Sequence, residues 1–210
     1  MSEPTTGRTA LRRRDRAVHN DAWIKTMLAT APTGVMATVA DGQPFVNANL
    51  FVYHEARHAI YLHTARHGHT RDTIEGDEGV AFTVMELGRM LPADTALEFS
   101  CEYASVVAFG RGHVVEDEAE AKEALQLLLD KYFGDLAPGE DYRATTAEEL
   151  ARTSVFRIEI EEMVGKRKQV GPDFPGARRY SAPSMVDTDP GGAGTTSTAS
   201  APESETPAAD

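Results

Sequence analysis

The sequence has one cysteine, Cys101. That excludes an internal disulfide framework and a cysteine-rich metal site. No apolar run approaches the roughly 18–20 residues that a membrane span requires. Positive charge is scarce: 21 Lys and Arg stand against 33 Asp and Glu, for a formal net charge of −12. A general nucleic-acid binder needs a basic face to neutralise phosphates, so no nucleic-acid partner is expected. Residues 1–16 are basic but lack the apolar stretch of a secretory signal. With the lone cysteine, this makes the cytoplasm the expected location. There is no Walker loop, no Rossmann fingerprint and no nucleophile-elbow pattern around any serine.

What is present is the composition of a globular chain, 41% apolar and 26% charged over 210 residues. That length suits one core-bearing domain with appendages. Residues 181–210 are Ser, Thr, Pro, Gly, Ala and acids, too poor in large aliphatics to offset the entropy of ordering, and are expected to be disordered. Residues 171–180 read as an extended strap and residues 1–10 as a flexible start. The folded domain is expected over residues 11–170.

Along that domain, helix and strand signals alternate irregularly. Asn20 or Asp21 can cap a first helix carrying Trp23, Ile24, Met27 and Leu28 on its apolar stripe. Residues 34–40 form a strand, Asp41-Gly42 a hairpin turn, and residues 44–53 the returning strand. Strands follow at 59–64 and 79–86, with a short helix between them over 68–75. Residues 97–116 read as two strands joined by a bend near Ser105. An amphipathic helix over 117–132, a short helix over 146–152 and a last strand over 154–162 complete the domain. The strands connect mostly by hairpins, and the helices are too few for βαβ units. The expected fold is mainly β with peripheral helices, an antiparallel barrel.

Two segments stand out. On the strand over 44–53, Phe45, Asn47, Asn49, Phe51 and Tyr53 share one face, which mixes amides with aromatics and carries no charge. Such a face suits a subunit interface, where aromatics are enriched and charge is depleted. It equally suits a wall against a flat heteroaromatic ligand, because an amide offers both a donor and an acceptor. The second segment is His63-Thr64-Ala65-Arg66-His67-Gly68-His69-Thr70-Arg71, where a strand ends, the chain turns and a helix begins. Free N–H groups at a helix start favour a phosphate. Thr64 and Thr70 supply hydroxyls, and Arg66 and Arg71 can pair with phosphate oxygens. A plain solvated basic turn is the competing reading. Five of the seven histidines lie between His54 and His69. Positions 63, 67 and 69 do not share a face of a regular element, so no metal site is expected.

These residues resemble a known family. Gln43-Pro44-Phe45-Val46, Phe51-Val52-Tyr53 and Ile60-Tyr61-Leu62-His63-Thr64-Ala65 with Gly68-His69 are similar to the pyridoxamine 5′-phosphate oxidase-like superfamily, in particular its nitroimidazole-resistance (Nim-type) flavin-nucleotide-binding branch. The likeness continues through Tyr103-Ala104-Ser105-Val106-Val107-Ala108-Phe109-Gly110-Arg111-Gly112 and Glu116-Asp117, and ends at Ile158-Glu159-Ile160 and Gly165-Lys166. The resemblance implies a six-stranded antiparallel split β-barrel that forms a homodimer and binds FMN at the subunit interface. It places His63, Thr64 and Ala65 along the flavin, Gly68, His69 and Thr70 at the ribityl phosphate, Asn47 and Asn49 beside the ring, and Ser105 near the site. Thr70 and Ala104 stand where many relatives carry a cation, so Arg66 and Arg71 are expected to supply the charge. The C-terminal substrate signature of the true pyridoxamine phosphate oxidases is not apparent.

The implied activity is that of an FMN-dependent oxidoreductase, with the cofactor carrying the redox chemistry. His63 is the expected proton-transfer residue, by its ordinary pKa and its place at a strand end. A structural, hydrogen-bonded histidine is the other reading of that position. The alternative function is a non-catalytic binding module for FMN, haem or a deazaflavin.

Overall fold

The computed structural model describes residues 7–181. The expected disordered tail lies, apart from its first residue, outside the described residues, as do residues 1–6 of the expected flexible start. The elements are β1 (Ala17–Val18), α1 (Asp21–Thr30), β2 (Gly34–Ala40), β3 (Gln43–Asn49), β4 (Val52–His54), β5 (Ala59–Ala65), α2 (His69–Gly76), β6 (Gly79–Leu91), β7 (Ser100–Val114), α3 (Glu118–Tyr132), α4 (Ala147–Ala151), β8 (Thr153–Lys168) and β9 (Arg178–Arg179).

Local chemistry sets most boundaries. The Asn20 side chain accepts the Trp23 N–H and starts α1, and Asp117 does the same for α3 at Glu120. Thr146 and Glu149 close a reciprocal capping box on α4. Asp41 and Gly42 both have positive φ, 49° and 78°, the combination a two-residue hairpin turn requires. Gly34 lies against the Phe82 ring, which a Cβ would meet at 2.2 Å, so only glycine lets β2 approach β6 this closely.

The sheet is antiparallel, in the order β3-β2-β6-β7-β8-β5-β4, with β1 on β8 and β9 on β6. Its two end strands, β3 and β4, are joined only by Leu50 and Phe51. Asn49 and Val52 therefore lie at most about 11 Å apart. A flat sheet of that many strands would be roughly 29 Å across. The sheet must curl until its ends nearly meet, yet they do not pair. This is a split barrel. Its interior holds Met36, Phe51, Ile60, Leu62, Phe82, Val84, Phe156 and Ile158 among others, with α1 packed against it through Ile24, Met27 and Leu28. Burying each of the larger side chains contributes about 1.5–3 kcal/mol.

Three sequence expectations change. The strand over 44–53 is broken, because the Phe51 ring turns into the core against Phe82 at 4.8 Å. The backbone N–H of Phe51 donates to the Tyr132 hydroxyl, and its carbonyl accepts from Lys131. Side chains of α3 thus replace ladder bonds at this point. Counting β3 and β4 as one interrupted strand, and leaving aside the two-residue β1 and β9, gives the expected six. Secondly, β7 runs unbroken through Ser105, and its irregularity falls instead at Phe109/Gly110 opposite β8. Thirdly, β6 and β8 extend well past their expected ends. Arg89 of β6 pairs with Glu102 of β7 at 2.8 Å and holds the carbonyls of Val170, Gly171 and Pro172, anchoring the strap that leads to β9.

The face reading of the strand over 44–53 also inverts. Phe45, Asn47 and Asn49 pair with Thr38, Met36 and Gly34, whose side faces the barrel interior. Phe51 and Tyr53 are core residues. The side that remains in water is the aliphatic one, with Val46 64% exposed.

Candidate functional site

The site is built from the split itself. β5 is paired with β8 along its whole length, but on its other side β4 covers only Ala59, Ile60 and Tyr61. Leu62 to Ala65 therefore border the gap with an unpaired strand edge. β3 pairs only with β2, so its far edge is open as well. Two strand edges with backbone donors and acceptors thus frame one opening.

The start of α2 closes one end. Gly68, at φ +145° with open space where a Cβ would stand, turns the chain from β5 into the helix. Its carbonyl accepts from the N–H groups of Arg71 and Asp72, which leaves those of His69 and Thr70 as first-turn donors without a partner among the described residues. The Thr70 hydroxyl accepts from Asn47 Nδ2 at 3.3 Å. Asn47 also donates to Asn49 Oδ1 at 3.2 Å, and Asn49 donates to the Asn47 carbonyl at 2.8 Å. The His69 ring sits edge-on to Phe45, 4.3 Å between centroids. Beneath them Thr73 links Thr38 to the Thr70 carbonyl. Asn47, Asn49, Gly68, His69 and Thr70 are therefore brought together. Thr64 and Ala65 stand at the end of the β5 edge, where the Thr64 hydroxyl donates to the Ala65 carbonyl.

The remaining expected site residues point elsewhere. Arg71 is only 15% exposed and is engaged by all three guanidinium nitrogens, with Glu75, Glu116 and Ser154. Arg66 lines a separate hollow of about 230 Å³ with Glu116 and Glu118. Ser105 faces outward between Met85 and Lys166. His63 shares its face of β5 with Tyr61, which packs under α3, whereas Thr64 shares the interior face with Leu62. It thus opens into a cleft of about 590 Å³ between β5 and α3. Although reachable by solvent, its imidazole loses enough hydration there to push its pKa down.

Sequence reasoning missed two groups. One is the α3 end: the Lys131 ammonium, pulled down to about 8 by burial, donates to the carbonyls of Ala31 and Phe51. A lysine on the apolar side of an amphipathic helix was the available signal. The other is an outward cationic cluster. Arg16 donates to the Tyr103 hydroxyl at 3.2 Å, and Lys166 lies 5.6 Å from that ring. Burial raises the Tyr103 phenol, but Arg16 and Lys166 outweigh it and the net shift is downward. The arginine run over residues 11–16 includes Arg16, but its place beside Tyr103 and Lys166 is set only in three dimensions.

The outward sheet face is largely apolar. Rows of paired residues run Ala48, Val35, Thr83, Val107, Val164 and Val46, Ala37, Ala81, Phe109 across the strands. Met85 and Leu87 extend it, 66% and 43% exposed. Among the described residues, no three His, Cys, Asp or Glu side chains converge as metal ligands, and no helix is long and apolar enough to cross a membrane.

Comparison with known proteins places this arrangement. The family model of pyridoxamine 5′-phosphate oxidase matches residues 20–167. Among curated proteins, none matches the chain. The flavocytochrome Anf3 from Azotobacter vinelandii is similar in structure, with a TM-score of 0.70 at 24% identity, covering 95% of each chain. An FAD- and haem-binding protein from Mycobacterium smegmatis gives a TM-score of 0.65 at 23% identity, over 84% of this chain and 92% of that one. A candidate 5-nitroimidazole antibiotic resistance protein from Bacteroides thetaiotaomicron gives 0.60 at 19% identity, over 72% and 86%. At these identities the likeness is one of fold.

Proposed function

Because the chain belongs to the pyridoxamine 5′-phosphate oxidase family, we propose that it binds a flavin nucleotide, FMN, in the split between β3 and β5 and works as a flavin-dependent oxidoreductase. The observation that carries this reading is the Asn47–Asn49–Thr70 group at an open strand edge, next to the unpaired N–H groups of His69 and Thr70. A flavin has a pyrimidine edge with donors and acceptors and, as FMN, a dianionic phosphate. Amides suit the first and a helix start with a hydroxyl suits the second. The flavin-binding and flavocytochrome neighbours support the same reading.

When bound, the cofactor would supply the electron-transfer chemistry. The chain's own residues bind and orient. Asn47 Nδ2 is taken by Asn49 and Thr70, which fixes the amide plane and leaves Oδ1 free to accept. Phe45 holds the His69 ring in place. Arg71 is neutralised by Glu75 and Glu116, so the helix-start amides and Thr70, rather than Arg71, would hold the phosphate.

Assembly is the second part of the proposal. The apolar outward face is broader than scattered surface aliphatics and is rimmed by Lys166 and Lys168. A homodimer formed through it would remove Val35, Val46 and Met85 from water and bring Ser105 of each protomer to the interface. We place the protein in the cytoplasm, where a chain with one cysteine needs no oxidising environment to fold.

The visible spectrum of the purified protein tests the cofactor. The two-band spectrum of an oxidised flavin, bleached by reductant and matched to FMN after extraction, is the expected result. A haem Soret band with no flavin absorbance would overturn the assignment.

A further inference from the structure

The cleft beside His63 is not used by the flavin reading. It lies on the other face of β5 from Thr64, between that strand and α3, and measures about 590 Å³. Ligand sites commonly span ~300–1,000 Å³. It is lined by Leu125, Leu128, Leu129 and Phe133 of α3 and its following turn, with Leu50 at the β3–β4 break and Tyr142.

Its polar groups decide the charge of what fits. Arg143 and Glu149 are both at the cleft, but they form a two-point ion pair at 2.9 and 2.6 Å and cancel each other. The Tyr142 hydroxyl accepts from Gln126 at 2.8 Å, and Thr153 donates to the Glu149 carbonyl. His63 has no hydrogen-bond partner among the described residues, and burial pushes its pKa down, which favours the neutral imidazole. A neutral imidazole offers one donor and one acceptor. The rings of His63, Tyr132, Phe133 and Tyr142 line the same space, and flat partners suit such walls.

We propose that this cleft is a binding site for an uncharged, planar aromatic small molecule, held between β5 and α3 and hydrogen-bonded to His63. The site stands on its own geometry and does not require a flavin in the neighbouring split. His63 belongs to β5, which borders that split, and Leu50 to the link between β3 and β4, so a ligand here would lie next to it.

Two dyes with one skeleton test the charge and the place. N-phenyl-1-naphthylamine is uncharged, and 1-anilinonaphthalene-8-sulfonate adds only a sulfonate. Equilibrium dialysis against the full chain should show saturable binding of about one naphthylamine per chain, with the sulfonate at least about tenfold weaker. Leu50→Lys puts a charge into the lining at a half-exposed position, and should weaken the naphthylamine at least tenfold with an unchanged melting temperature. His63→Ala should weaken it about threefold or more. Binding that never saturates, equal affinity for the sulfonate, or unchanged affinity in both variants would overturn the proposal. Flavin absorbance is read on the same samples, and naphthylamine binding to flavin-free chain supports the site as fully as binding to flavin-loaded chain.

Discussion

The ammonium of Lys131 lies 2.9 Å from the carbonyl of Phe51 and 3.9 Å from the centroid of its ring. One side chain of α3 thus satisfies the backbone at the point where the barrel strand breaks. The same nitrogen holds the Ala31 carbonyl at 2.8 Å, so the α1–β2 turn and the β3–β4 break are tied to one helix end.

That contact has a pH signature. Burial lowers the Lys131 pKa from 10.5 to about 8. Between those values the unfolded chain carries a proton that the folded chain has released, so this group makes stability rise with pH across the window. Lys131→Met removes the effect. Denaturant melts of both proteins should show wild type gaining on the variant as pH climbs from 8 toward 10.5. A constant difference across that range would contradict the assignment.

Asn47→Ala should weaken FMN by about three- to tenfold, the worth of one neutral hydrogen bond of roughly 0.5–1.5 kcal/mol. Titration by flavin fluorescence measures it, with a melting curve to confirm that the lost Thr70 contact has not unfolded α2.

Arg71→Ala separates charge supply from structure. Its three partners and low exposure mark it as a tie between α2, Glu116 beyond β7 and β8. Thermal stability should fall by about 1–3 kcal/mol, while FMN affinity should change less than in Asn47→Ala. A large affinity loss with full stability would return Arg71 to the phosphate.

The homodimer can be broken at the face that stays in water. Sedimentation should give twice the chain mass for wild type and the chain mass for Met85→Glu or Val46→Glu. Both positions are well over half exposed in the protomer, so the variants should stay folded. A wild-type monomer would remove the interface from the proposal.

Elements with a local signature were legible in the sequence. Asn20 and Asp117 mark helix starts and Asp41-Gly42 marks a hairpin, because each depends on hydrogen bonds and dihedrals within a few residues. The order of these elements, with the motif around His63 to His69, was enough to point to the family. The site was only half legible. Asn47, Asn49, Gly68, His69 and Thr70, which the family resemblance placed around one ligand, lie together. Arg71 does not join them, because Glu116 and Ser154, distant in sequence, claim its guanidinium. The inward turn of Phe51 was hidden for the same reason. A period-2 pattern cannot show that the donors satisfying a strand break sit on a helix some eighty residues later. Which face of β3 meets water, and which side of β5 His63 looks out from, are set by how the sheet curls, and curling is a property of all the strands together.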